Sequence, residues 1–296
     1  MPPTLAERLG FAPTDRVAVL HCDDVGMCHA ANEGAFEALA NGPATCGSIM
    51  VPCPWFEEAA ALATASPGVD LGVHLTLTAE WLSYRWGPVA SRDRVPSLLD
   101  AEGYLPRTAV EVAKNAKPEE VEIELRAQIE KALAAGIDVT HIDSHMGTVF
   151  FPQLLPVYAK LAREYRVPAF AVRPDPEVLA ARGFAGMEKL FEGLMALLED
   201  ARVPILDAFD AESLDFPDGD GLSHNRGRLA RLSSGVTYLI CHPARDGAEL
   251  RAAMTFGAHQ RDFERSFYGG EAGRQALAEE GVQTVGMRAL RDLMRG

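Results

Sequence analysis

Short apolar runs rich in β-branched residues alternate along this chain with stretches whose apolar positions recur every three or four residues. The run at 17–20 reads as a buried strand ending at His21-Cys-Asp-Asp24, and the spacing of Ala35, Phe36, Leu39 and Ala40 predicts a helix after it. A second strand is expected at 45–51, a helix on Phe56, Ala59, Ala60 and Ala63, and a third strand at 69–75. The most regular helical pattern spans 118–135. Pro118 suits its first turn, Val121, Leu125, Ile129 and Leu133 share a face, and Gly136 fits just past its end. A strand at 139–142 precedes a helix carrying Leu154, Tyr158, Leu161 and Ala162. Further strands are expected at 169–172, 205–206, 236–240 and 282–285. Helices are expected at about 186–199 and 245–253, and a last one carries Met287, Leu290 and Met294.

Repeated strand–helix units imply parallel strands, because parallel neighbours need a crossover and a helix is the usual one. The number of units and the lack of a G-x-G-x-x-G after the first strand favour a closed or nearly closed barrel over an open doubly wound sheet. One catalytic domain over 1–296 is expected, with loop insertions near 79–112 and 208–227. The first insertion holds Trp81, Tyr84, Trp86 and Tyr104, and the second is rich in Asp, Gly and Pro. Loops that follow barrel strands commonly line the mouth of an active site.

Composition narrows the function. The 296 residues are 48% hydrophobic, enough for a large core, and 42 acidic against 28 basic residues leave a net charge of −14. Such a surface repels phosphate backbones and anionic headgroups, so neither nucleic-acid nor membrane-surface binding is expected. Residues 1–10 lack a basic segment followed by an apolar run, and nowhere do eighteen apolar residues run together. Neither a secretory signal nor a membrane-spanning helix is therefore expected. The five cysteines are odd in number and contain no C-x-x-C pair, which fits a reducing cytoplasmic setting and a role as small core residues.

Polar groups gather where the strands end: Asp23 and Asp24, His74, His141 to His145, Arg173 and His242. Strand C-termini of one parallel sheet converge on one face, so groups far apart in sequence can meet there. Two imidazoles and a carboxylate can hold a divalent cation such as zinc, and a neighbouring carboxylate can act as base on water. Taken singly, a strand-end His is more often a structural hydrogen-bonding residue and Asp-Asp a turn or helix cap. Their joint recurrence at strand ends is the signal.

These segments resemble a known family. Val19-Leu-His-Cys-Asp-Asp-Val-Gly26, Asn32-Glu-Gly34, Gly72-Val-His-Leu-Thr-Leu-Thr78, Thr140-His-Ile-Asp-Ser-His145 and His242-Pro243 look like the YdjC-type carbohydrate deacetylases, relatives of the polysaccharide deacetylases, in the family's order. The resemblance implies a distorted (β/α) barrel, TIM-like, with about seven parallel strands, and one divalent metal ion, Zn or Mg, on Asp24, His74 and His145. It also implies Asp23 as general base, His242 as general acid and Arg173, in Ala171-Val-Arg-Pro174, as the residue orienting the base. The implied reaction removes an N-acetyl group from an amino-sugar-containing small molecule or oligosaccharide. Thr76, Thr78 and the Trp81 and Trp86 loop are candidate substrate contacts, with strand packing and a packed lid as the competing readings. Asp143 is a candidate partner for the distal N–H of a metal-bound imidazole. His21 stands where family members often carry a smaller polar residue, and Met146-Gly-Thr-Val149 replaces the further histidines that commonly follow Asp-Ser-His. The alternatives are another metal-dependent hydrolase (an amidohydrolase or phosphoesterase) and a catalytically inactive carbohydrate-binding relative. The pattern is compatible with a homodimer.

Overall fold

The computed structural model describes residues 2–173, 186 and 188–296. Among them seven parallel strands form one curled sheet: β1 (Arg16–Val25), β2 (Cys46–Ile49), β3 (Leu71–Leu75), β4 (Val139–Ser144), β5 (Ala208–Asp210), β6 (Gly235–Cys241) and β7 (Val282–Thr284). Their order is β4-β3-β2-β1-β6-β5, with β7 also on β1. β1 is long enough to serve three neighbours. β6 follows one edge from Arg16 to Cys22, while β7 borders the other edge at Arg16 to Ala18 and β2 borders it from His21 to Val25.

The helices are α1 (Leu5–Arg8), α2 (His29–Asn41), α3 (Phe56–Ala65), α4 (Ala109–Asn115), α5 (Pro118–Ala134) and α6 (Leu155–Tyr165) in the first half. The second half adds α7 (Glu188–Asp200), α8 (Gly221–Ala230), α9 (Ala248–Ala253), α10 (Ala258–Tyr268), α11 (Glu271–Glu280) and α12 (Met287–Arg295). The regular strands make a half-barrel. Single-residue parallel bridges, Ile142 to Ala169 and Val172 to Leu206, continue the curve toward β5. This is the TIM-like α/β architecture that the alternation predicts, with the distortion that the family resemblance implies.

Two local expectations differ from the structure. The strands expected at 169–172 and 205–206 shrink to those bridges, because Pro168, Pro174 and Pro204 remove backbone donors around them. The segment 208–227, expected as loop, opens with β5 and runs into α8. Likewise α4 begins inside the 79–112 insertion, where Thr108 and Glu111 form a reciprocal capping box.

Strand alternation sorts the residues of β1. Ala18, Leu20 and Cys22 face outward into the main core under the helices. Val17 and Val19 join Cys46, Leu206, Val236 and Tyr238 in a separate apolar floor inside the curve, closed from below by Leu5 of α1 and Met287 and Leu290 of α12. Above that floor the same face becomes polar at His21 and Asp23.

The 79–112 insertion is held from α5 largely through main-chain atoms. Glu124 accepts the N–H groups of Val89 and Ala90, Glu120 accepts that of Ser97, and Gln128 bonds both the N–H and the C=O of Thr76. Buried backbone groups need such partners, and α5 supplies them with three carboxyl or amide side chains.

Candidate metal centre

Adjacent strand residues normally point to opposite faces, yet Asp23 and Asp24 both reach the site. Asp24 adopts a left-handed backbone (φ 64°), and the β1–β2 register shifts between Cys22 and Val25. Aspartate tolerates that conformation better than most residues, and the turn brings the second carboxylate round to join the first. Asn32 of α2 braces the turn by accepting the N–H of Gly26 at 2.7 Å. Gly34 lets α2 lie directly on the loop after β6, since a Cβ there would come within 2.5 Å of the Ala244 backbone. The Asn-x-Gly motif thus links the Asp pair to the loop that carries His242.

Asp24, His74 and His145 are all buried and converge. Asp24 Oδ1 lies 3.6 Å from His74 Nε2 and 3.3 Å from His145 Nδ1. Two ligand atoms each about 2.1 Å from one cation sit about 3.0–3.4 Å apart, so the three donors are spaced to share an ion. Asp24 Oδ1 is buried without a hydrogen bond of its own, which is the state expected of an oxygen reserved for a cation. The distal nitrogens are also secured. His74 Nδ1 donates to Asp143 Oδ1 at 2.8 Å, and His145 Nε2 faces Glu80 at 3.1 Å. Asp143 is held in turn by Ser48 and by the hydroxyl of Tyr238. Both imidazoles therefore show the carboxylate–histidine arrangement that orients metal ligands.

Electrostatics follow the same geometry. Burial alone would raise the Asp24 carboxyl, but Arg261 and the neighbouring histidines hold it well below the usual range. Arg261 Nη1 lies 2.9 Å from Asp24 Oδ2 as an ion pair, with no N–H aligned for a hydrogen bond. Arg261 thus engages one oxygen and leaves the other to the histidines. Burial would lower His145, yet Glu80 and Asp24 raise it to about 10, and Asp143 and Asp23 raise His74 against burial in the same way. Burial and Arg261 lower His242.

Asp23 and His242 flank the centre. Asp23 Oδ2 lies 3.8 Å from His74 Nε2 and 3.9 Å from His242 Nε2, while Oδ1 is held by His21 Nδ1 at 2.6 Å. His242 Nδ1 meets Ser213 Oγ at 2.7 Å, and that hydroxyl donates to the fully buried Glu264 at 2.8 Å. The relay fixes Nδ1 as the protonated nitrogen and turns the bare Nε2 toward Asp23.

Of the other expected residues, Arg173 lies outside the cluster, Thr76 bonds the backbone, and Trp81 and Trp86 form wall. Arg173 is not brought to the cluster: its side chain is 64% exposed and faces Glu199, beside the single-residue bridge at Val172. The cationic contact to the Asp pair comes instead from Arg261. Thr76 is buried with its hydroxyl on the His74 carbonyl, 2.6 Å away. Trp86 donates its indole N–H to the Thr78 carbonyl and packs edge-on toward His145, while the buried Trp81 stacks near Phe256. The aromatic loop is therefore wall rather than open platform. The exposed apolar side chains beside it are Leu82, Met146 and Phe256.

Sequence reading missed Glu80, Arg261, Ser213 and Glu264. Of these, Arg261 and Glu264 had a weak signal, since they lie one turn apart on α10 and both face inward.

Fold and site together define a parallel α/β barrel whose buried histidines and aspartates at the strand ends are spaced to hold a cation. The chain belongs to the YdjC-like protein family, whose sequence profile matches residues 17–279. A carbohydrate deacetylase of Thermus thermophilus is 38% identical over 259 residues, covering 88% of this chain and 89% of that protein. One of Geobacillus stearothermophilus is 32% identical over 278 residues, covering 92% and 97%. A crystal structure from Enterococcus faecalis, assigned provisionally as a cellobiose-phosphate cleavage protein, superposes with TM-score 0.74 at 26% identity, covering 93% of this chain and 99% of its own. Among the described residues no helix is long and apolar enough to cross a membrane.

Proposed function

We propose that this chain is a metal-dependent carbohydrate deacetylase that hydrolyses the N-acetyl group of an amino-sugar-containing substrate, with 1–296 acting as one catalytic unit. The observation that carries this reading is the orphaned Asp24 Oδ1 between His74 and His145, with the Asp23 carboxylate and the His242 imidazole beside it. The names of the family relatives support the substrate class over a phosphoesterase or a cyclic amidohydrolase. Two imidazoles with one carboxylate favour a first-row cation such as zinc over magnesium. The five buried, unpaired thiols suit a reducing compartment.

A divalent cation on Asp24, His74 and His145 would supply Lewis acidity toward the amide carbonyl and toward water. Asp23 Oδ2, the free oxygen of the base, takes the proton from the attacking water. His242 begins neutral, because burial and Arg261 lower it, and its bare Nε2 faces Asp23. It receives the proton collected by Asp23 and passes it to the leaving amine, so the water's proton ends on the product. Ser213 and Glu264 hold the ring while the charge passes through it.

Acetate release from N-acetylated amino sugars and short oligosaccharides tests the reading, alongside elemental analysis of the purified protein. Asp23→Asn is expected to lower turnover by about 10²–10⁴-fold with bound metal unchanged. A metal-loaded wild type that releases no acetate from a broad N- and O-acetyl panel would overturn it.

A further inference from the structure

Behind the base, the barrel interior holds a row of buried polar side chains that the chemistry above does not use. His21 Nδ1 meets Asp23 Oδ1 at 2.6 Å, and His21 Nε2 meets His141 Nε2 at 2.8 Å. His141 Nδ1 then meets Thr140 Oγ1 at 2.9 Å, and Thr140 Oγ1 meets Asp70 Oδ1 at 2.5 Å. Asp70 precedes β3, at the opposite end of the sheet from the site. Its Oδ2 accepts the N–H of Arg288 in the first turn of α12. The row has a built-in space: a Cβ at Gly72 would come within 2.5 Å of the His141 carbonyl and 2.7 Å of its ring.

The His21–His141 contact is a hydrogen bond and not a cation site. At 2.8 Å the nitrogens are closer than the roughly 3.0–3.4 Å that separates two ligands of one ion. Asp143, the third donor nearby, is already engaged by His74, Ser48 and Tyr238.

Counting hydrogens then orders the row. Four links need four hydrogens, whereas two neutral imidazoles and one hydroxyl bring three. Burial pushes His141 down to about 3, so that ring holds a single hydrogen. Burial also raises the Asp70 carboxyl, against Thr140 and the Arg288 amide. With both rings neutral and Asp23 serving as the base, the geometry of the four links leaves Asp70 as the place for the fourth hydrogen. The links then run one way: Asp70 donates to Thr140, Thr140 to His141 Nδ1, His141 Nε2–H to His21 Nε2, and His21 Nδ1–H to Asp23.

We propose that Asp70, Thr140, His141 and His21 are positioning residues for the base: a directed hydrogen-bond row through the barrel fixes His21 as the Nδ1–H tautomer, which ties down Asp23 Oδ1 and turns Oδ2 to the reaction centre. The proposal rests on Asp23 being the base. It assigns to His21 the orienting task that the sequence pattern gave to Arg173.

Histidine ¹⁵N NMR on the full chain, free of cation and substrate, tests the row separately from the activity. The expected wild-type pattern is His21 protonated on Nδ1 alone and His141 on Nε2 alone. Asp70→Asn, whose amide N–H replaces the carboxyl O–H, keeps both tautomers. Thr140→Val cuts the row at equal volume. It mixes the tautomers and lowers kcat about tenfold, leaving KM and cation affinity unchanged. Finding His21 protonated on Nε2, or on both nitrogens, in the wild type overturns the proposal. So does a folded Thr140→Val whose tautomers and kcat match the wild type. Absence of acetate release from the wild type counts against the deacetylase reading alone, since the spectra need no substrate.

Discussion

Replacing Arg261 with methionine removes the ion-pair partner of Asp24 Oδ2 while keeping much of the side-chain volume. In cation-free protein this leaves a buried carboxylate short of its arginine, and breaking such a pair from one side costs about 3–5 kcal/mol. For a chain of this size each kcal/mol moves the midpoint by about 2 °C, so a drop of roughly 6–10 °C follows at pH 7.5. The effect has a pH signature. The Asp24 pKa is depressed in the folded protein, so its contribution is present above the ordinary carboxylate range and fades as pH falls through the depressed value. Arg261→Met weakens that depression, so the gap between wild type and variant is full from neutral pH down to about pH 4 and narrows only below it. Saturating cation gives Asp24 a new partner and should narrow the gap as well. Thermal melts with chelator and with added zinc, at several pH values, measure both trends. A gap unchanged by pH and by cation would refute the electrostatic argument and leave Arg261 as packing.

Two further outcomes follow from the histidines proposed as ligands. His145 is raised to about 10 in the cation-free protein, so its pairing with Glu80 and Asp24 stabilises the fold fully below about pH 6.5 and is lost as pH rises through about 10. A cation must displace that proton. Binding near neutral pH should release at least one proton, and affinity should climb about tenfold per pH unit until His145 is neutral; calorimetry in buffers of different ionisation enthalpy reads the proton count, and zero release would remove His145 from the ligand set. Glu80→Gln, which keeps the shape but not the charge facing His145 Nε2, should weaken cation binding about 10–100-fold in competition titrations against a chelating dye.

The parts of the site legible in sequence are those placed by strand ends. His74 and His145 follow from counting along β3 and β4, and the Asp pair follows from the end of β1 once a turn is allowed to break the alternation. The left-handed Asp24 that makes the turn has no signature beyond Asp itself and Gly26 two positions later. Arg173 was misplaced because a short apolar run between prolines reads like a strand, whereas that run makes just two single-residue bridges, at Ala169 and Val172. Trp81 and Trp86 look like a sugar platform on composition, but which face an aromatic loop presents is decided by its anchors on α5 and by Phe256. Arg261 and Glu264 come from a helix more than 200 residues after Asp24, and no local pattern ties them to it. The fold was easier to read than the site because period and length report strands and helices directly, while side-chain partners depend on the closure of the whole sheet.

The grip of α5 on the 79–112 insertion bears on how this enzyme can diversify. Glu120, Glu124 and Gln128 hold that segment by peptide groups, which every residue except proline presents alike. Side chains along the segment can therefore drift while its path stays anchored. Glu80, which faces His145, is the exception, and the other carboxylates and the histidines of the cluster lie at the strand ends beyond it. Apart from Glu80, the mouth can thus vary in sequence without disturbing the residues below.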